Sequence, residues 1–255
     1  MMTRKKFMKT NEKFLEALQY MNATMKADNK AGHQWKYCNV TKKKVYGFEN
    51  KRKAGKYLTN CVDGVQDALR IAGVKATAWY GGNGKIVWLN DHAKSDAKKY
   101  FNIISTGGKT VNQLYKEGQL CDGDILMGYQ GFSHTNCYYG GTKSFDSGHA
   151  YCSGSGEGAK FKKWIGAMTY KTKKVNYILR LKDRAHYRVQ AGAYTDINKF
   201  HEQAALLRKK GFSVVMLQEE GMYKAQVGHF AGKSNAERLL ASLSKKGFSA
   251  FIKEV

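Results

Sequence analysis

The sequence predicts an α+β protein of two domains, with helices and an antiparallel sheet over residues 1–182 and a βαββαβ unit over residues 185–255. Three observations carry this prediction. Apolar residues recur at helical spacing in two N-terminal segments, a run of short alternating segments between residues 125 and 146 reads as a β-meander, and a repeat with a 36-residue offset closes the chain. The 255 residues, 42% hydrophobic and 25% charged, have an ordinary globular composition, which excludes a disordered tail. No segment reaches the roughly 18 uninterrupted apolar residues of a membrane span, and no apolar region follows the charged opening MMTRKKFMK. The expectation is a protein without an export signal or a membrane anchor.

Residues 11–28 read as a helix, with Asn11 as its cap and Phe14, Leu18, Met21 and Met25 on one buried face. A basic, glycine-containing stretch from Lys42 to Lys56 follows. In TNCVDGVQDALRIAGV, residues Val62, Val65, Leu69 and Ala72 mark an amphipathic helix that Gly73 ends, with Cys61 in its first turn. Gly81, Gly82 and Gly84 in WYGGNGK read as a turn, because the strand–loop–helix frame and the Lys-Ser/Thr of a phosphate loop are missing. Gly123-Asp124 leads a strand from Ile125 to Tyr129, and His134 opens another that runs to Tyr139. The Gly140-Gly141 turn then leads into Lys143 to Asp146. The Gly/Ser-rich segment after it, SGHAYCSGSGEGAKF, reads as a flap, with His149 as a loop histidine or an alternative to Asp146.

In the C-terminal region YRVQAGAY (187–194) is echoed by YKAQVGHF (223–230), and KKGFSVVM (209–216) by KKGFSAFI (245–252). Each copy reads strand, helix, strand: Phe200, Ala204 and Leu207 line the first helix, and Ala236, Leu239, Leu240 and Leu243 line the second. Gly211 and Gly247 stop the two helices. Two such units give an antiparallel sheet with both helices on one face. Alternation then separates Tyr187, Val189 and Ala191 from Arg188 and Gln190, and Tyr223, Ala225 and Val227 from Lys224 and Gln226.

Forty-four Lys and Arg against twenty Asp and Glu leave a net charge of +24, which points to a polyanion, either nucleic acid or cell wall. Residues 185–255 hold 11 basic and 6 acidic side chains, so the excess lies mainly in the N-terminal region. Nucleic acid is disfavoured, because GMYKAQVGHF lacks the aromatic pattern that RNA recognition places on such a sheet. The five cysteines, Cys38, Cys61, Cys121, Cys137 and Cys152, include no CxxC pair and form an odd set, as expected of thiols in a reducing compartment. His33 and Cys38 are too few for a metal site, and neither a metal nor a cofactor is expected.

Among the cysteines Cys61 has a distinctive setting. A thiol in the first turn of a helix feels the positive end of the helix dipole and nearby backbone N–H groups, which favour the thiolate and can stabilise an oxyanion. The downstream meander supplies a histidine and an acid on neighbouring strands, the components of a thiolate–imidazolium site. Cys121, Cys137 and Cys152 lack a helix-start setting and read as core or surface thiols.

NCVDGVQDALRIAGV and GDILMGYQGFSHTNCYYGGTKSFDSG together resemble the NlpC-type and CHAP-type cell-wall cysteine peptidases, over roughly residues 10–180. The resemblance implies a papain-like fold with Cys61 as nucleophile, His134 as general base and Asp146 as the group that orients the imidazolium. Asn60 stands where the family usually has Asp, Val62-Asp63-Gly64 replaces its Ser-Gly, and its upstream Tyr-x-Trp-Gly-Gly is absent, leaving Tyr46 or Tyr57 to supply that hydroxyl. Asp124 corresponds to the family's Gly-Asp, with a structural or strand-orienting role.

The aromatic-basic-X-Gln-X-Gly openings and Lys-Lys-Gly-Phe helix exits of residues 185–255 resemble the SPOR domain, a module that binds peptidoglycan glycan strands stripped of stem peptides. That resemblance implies Gln190, Gln226, Arg188 and Lys224 as sugar-facing groups. The two resemblances together imply a phage-type endolysin, held in the host cytoplasm and then acting on the cell wall, with peptidoglycan and anionic wall polymers as partners. Its expected reaction is hydrolysis of a stem-peptide or cross-link amide, preferably as a D-glutamyl endopeptidase, alternatively as an N-acetylmuramoyl-L-alanine amidase. A non-catalytic wall-binding or nucleic-acid-binding protein is the remaining alternative.

Overall fold

A computed structural model describes residues 8–37, 46–140, 143–146, 160–163, 172–183 and 185–255. Cys38, His149 and Cys152 lie outside the described residues. The chain divides into two compact units, residues 1–184 and 185–255.

The first unit runs α1 (Thr10–Lys30), β1 (Lys36–Tyr37), α2 (Phe48–Lys53), β2 (Leu58–Thr59), α3 (Cys61–Ile71), β3 (Trp79–Gly82), β4 (Lys85–Trp88), α4 (Ala93–Tyr100) and β5 (Phe101–Ser105). It continues through α5 (Val111–Lys116), β6 (Ile125–Tyr129), β7 (Thr135–Gly140), β8 (Lys143–Asp146), β9 (Lys160–Lys163) and β10 (Val175–Leu181). Its main sheet has the strand order β5-β10-β6-β7-β8-β9, antiparallel throughout. Because side chains alternate across a strand, the sheet carries two apolar clusters. Phe14, Leu18 and Met21 of α1 and Val65, Ala68 and Leu69 of α3 pack with Ile125, Met127, Cys137, Phe145, Leu179 and Leu181. Val111 and Leu114 of α5 pack with Leu126, Tyr129, Tyr138, Val175 and Ile178. The expected Phe14, Leu18, Met21 and Met25 stripe is indeed core.

Two local expectations change. Helix α1 begins at Thr10, and Asn11, expected as its cap, lies inside the first turn, buried, with its Nδ2 donating to the Asp122 carbonyl. The helix start is held instead by Glu12, which accepts the Lys9 N–H, and by Asp183, whose carboxylate accepts the Thr10 N–H and whose carbonyl accepts the Asn11 N–H. The basic stretch before Cys61 contains α2, which inserts Phe48 into the core. Charge also ties α2 down: buried Lys51 pairs with Asp67 at 2.8 Å, and Arg52 pairs with Asp28 at 2.9 Å.

The second unit is β11 (Tyr187–Tyr194), α6 (Ile197–Lys209), β12 (Val215–Glu219), β13 (Met222–Phe230), α7 (Lys233–Lys245) and β14 (Phe251–Glu254), with strand order β12-β13-β11-β14. Val189, Ala191 and Ala225 meet Phe200, Ala204 and Leu207 of α6 and Ala236 and Leu243 of α7, so both helices cover one face of the sheet. This is the βαββαβ arrangement that the repeat predicts. The Asp196 side chain caps α6 through the Asn198 N–H at 2.8 Å.

Candidate functional site

Cys61 is the first residue of α3 and is partly exposed. Asn60 has extended backbone and caps the helix, its Oδ1 accepting from Val62 N–H at 3.1 Å and Asp63 N–H at 2.9 Å. Asn60 therefore satisfies two of the backbone donors at the start of the helix that Cys61 opens. The expectation that several N–H groups at this helix start are open to an oxyanion narrows accordingly, because the Val62 and Asp63 groups already serve the cap. Lys51 lies 3.8 Å from Asp63 and also pairs with Asp67, which anchors the first turns of α3 to α2.

Helix α3 packs against β7 and β8, the strands that follow His134 and end in Asp146. Strand β3 links the two sides. Gln66, midway along α3, donates to the Trp79 carbonyl, and further along β3 the Gly81 N–H donates to Thr135 Oγ1 at 3.0 Å. A Cβ on Gly81 would stand 1.9 Å from the His134 carbonyl oxygen, so only glycine lets β3 lie against the start of β7. The glycine run of WYGGNGK is thus a strand and hairpin turn, with Gly82 paired to Lys85.

His134 is 2% exposed, and its ring lies 5.6 Å from that of Tyr129 and 5.8 Å from that of Phe132. The Tyr129 hydroxyl in turn donates to Asn136 Oδ1 at 2.8 Å. Asp146 ends β8 and pairs with Lys160 of β9, next to Phe145, which pairs with Cys137 of β7. His134, expected to open this strand, lies just before it: β7 starts at Thr135, and Asp146 ends the neighbouring β8.

Other candidates have structural settings. Asp124 is fully buried, bonds Arg180 at 2.8 and 2.6 Å and accepts the Cys121 N–H at 2.8 Å, locking β6 to β10. Cys121 and Cys137 are buried thiols. His33 stacks on Tyr57 at 4.9 Å, and Tyr46 is exposed with Arg70 over its ring. Among the described residues no group of three His, Cys, Asp or Glu side chains is arranged to hold a metal ion, and no helix is long and apolar enough to cross a membrane.

In the second unit the uncovered face of the sheet forms a row across all four strands. Val215 pairs with Gln226, Gln226 with Gln190, and Gln190 with Phe251. The repeat relates Gln190 to Gln226 and Val215 to Phe251, so the row has internal two-fold character. Its centre is two amides, with Gln190 only 3% exposed, and its flanks are Val215 and Phe251 at 54% and 50% exposure. Gln190, expected to face a sugar, is turned back, its Nε2 donating to the Gly192 carbonyl at 3.3 Å, so the amide open to a ligand between the apolar flanks is the partly exposed Gln226. Sequence alternation found the amides; the two flanking residues need the register to be seen as part of the same row.

Arg188 and Lys224, also related by the repeat, are not simply presented to solvent. Arg188 Nη1 bonds Glu219 Oε1 at 2.7 Å, while Lys224 Nζ lies 3.4 Å from Glu219 Oε2 and 2.7 Å from Glu220 Oε2. These cations hold both glutamate carboxyls below their ordinary range, Arg188 chiefly for Glu219 and Lys224 for Glu220. The glutamates lie at the β12–β13 turn, where Glu220 and Gly221 have φ of 56° and 71°. Left-handed backbone at both central residues matches the tight hairpins that follow strand twist.

Residues 183–254 match the SPOR domain family. Among solved structures, the chain is similar to the peptidoglycan binding domain of the B. subtilis cell wall lytic enzyme CwlC, with 32% identity, 30% of this chain and 96% of that chain covered, and a TM-score of 0.28. No curated protein matches the chain.

Proposed function

Residues 183–254 are a SPOR domain, a peptidoglycan-binding module, and from that premise we propose that the chain is a wall-tethered cysteine hydrolase cutting an amide of peptidoglycan. The observation that supports catalysis best is the junction of α3, β3 and β7, in which Gln66 and Gly81 tie the helix that begins at Cys61 to the strand that follows His134. Cys61 is the nucleophile, His134 the base and Asp146 the orienting acid, on a papain-like scaffold.

In this reaction the Cys61 thiolate attacks the amide carbonyl carbon while the helix dipole stabilises the negative sulfur. The Asn60 side chain takes the Val62 and Asp63 N–H groups, so the Cys61 N–H is the donor assigned to the developing oxyanion in this reading. His134 passes the thiol proton to the departing amine, then takes a proton from water to release the acyl group. A D-glutamyl bond is the preferred target and the N-acetylmuramoyl-L-alanine bond the alternative. The SPOR domain holds the enzyme on glycan and raises its effective concentration at these bonds.

Turbidity of purified walls tests this reading. Wild type should clear walls, Cys61→Ser and His134→Ala should lose at least about a hundredfold in rate, and Asp146→Ala should lose less than His134→Ala. Clearing by Cys61→Ser at the wild-type rate would overturn it.

A further inference from the structure

The repeat makes the uncovered face of the SPOR sheet nearly symmetric, and the Glu219 contact breaks that symmetry. Glu219 joins Arg188 of β11 and Lys224 of β13, cations that stand on opposite sides of the central amide pair in the sequence repeat. Both are recessed, with side chains 17% and 7% exposed, and Lys253 of β14 pairs in register beside Arg188. Glu219 satisfies the site incompletely. It gives Arg188 a single bond and Lys224 a long one, Lys224 taking its short bond from Glu220 at 2.7 Å, and the buried Arg188 Nε has no hydrogen-bond partner among the described residues. A guanidinium takes a free carboxylate through two parallel bonds, which a side chain tethered to a hairpin turn does not offer here.

We propose that Arg188 and Lys224 form a carboxylate-binding site on the glycan face and that Glu219 is its internal occupant, displaced when ligand binds. The ligand group is a carboxylate carried by the glycan, such as the lactyl carboxylate exposed on muramic acid once its stem peptide has been cut off. A stem joined there by an amide presents no such charge, so the site distinguishes stripped from substituted strands. Glu219 sets a threshold: the glycan must supply a better-matched carboxylate than the chain's own. This inference rests on glycan binding by the SPOR domain and adds the group that is recognised and its competitor.

Binding of purified stem-free glycan to the full chain, carrying Cys61→Ser to prevent digestion, tests it. Glu219→Gln should tighten binding about threefold to fivefold, the size of one competing surface ion pair. Glu237→Gln on α7 changes net charge equally, pairs with Lys233 away from this face and should leave binding unchanged. Arg188→Gln should weaken binding in an otherwise native sheet. The gain from Glu219→Gln should vanish on glycan whose carboxylates have been reduced to alcohols. Equal effects of Glu219→Gln and Glu237→Gln, a gain that persists on reduced glycan, wild-type affinity in Arg188→Gln, or a gain confined to isolated teichoic phosphate polymer would each overturn the proposal. Failure of the parent chain to bind any glycan would instead remove the reading on which it rests.

Discussion

Asn60 shows how one side chain shapes a helix start and its chemistry together. By accepting from Val62 and Asp63 it satisfies two helix-end donors, so Asn60→Ala should cost about 1 kcal/mol in urea unfolding, with Asn60→Asp restoring the loss. Gly81 is decisive for a different reason. A methyl group there collides with the His134 carbonyl, so Gly81→Ala should lower wall hydrolysis at least about tenfold while leaving glycan binding by the SPOR domain intact; unchanged turnover would show that β3 does not set the position of His134. Asp28 sets an acid limit on the first unit. Bonds from Arg52 and from Trp35 Nε1 hold its carboxyl below the ordinary range, so its contribution is fully present above the unfolded value near 4 and is lost as pH falls through the lower folded value. Asp28→Asn should therefore flatten the loss of thermal stability below about pH 4, and an unaltered pH profile would count against this role.

At the scale of elements, legibility followed the range of the interactions. The meander strands and the repeat were readable because their periodicity is local: β6 and β8 fall at the positions the alternation predicts, and the SPOR helices end at Gly211 and Gly247. The α1 cap was misread because its partner is Asp183, at the far end of the first unit, which no local pattern points to. Helix α2 was hidden in a stretch that reads as basic and flexible, since its stability comes from one core side chain, Phe48, and from carboxylates on α1 and α3. On the sheet face opposite the helices the alternation placed Gln190 and Gln226 but not Phe251 and Val215, which join them only through cross-strand register. Phe251→Ala should weaken glycan binding about tenfold without a matching fall in melting temperature, because half of that side chain is exposed and free to stack on a sugar ring.

For the whole molecule, charge and architecture divide the work. The SPOR unit carries little of the +24, so any attraction of the chain to a polyanion should come mostly from the basic N-terminal unit and should weaken with salt. Binding of peptidoglycan by the SPOR unit, whose own net charge is small, should depend less on salt. The sequence named Cys61, His134 and Asp146 as residues, whereas the contacts of α3 with β3, β7 and β8 are long-range and became visible only in three dimensions.

Digestion of purified peptidoglycan by wild type and Cys61→Ser, with fragments identified by mass spectrometry and new amino termini labelled, tests the catalytic proposal most directly. Wild type should release fragments that Cys61→Ser does not, with a new terminus following D-glutamate for the preferred bond or L-alanine for the amidase alternative. Walls that bind the protein through its SPOR domain yet yield no Cys61-dependent fragment would contradict the hydrolase and leave a wall-binding protein.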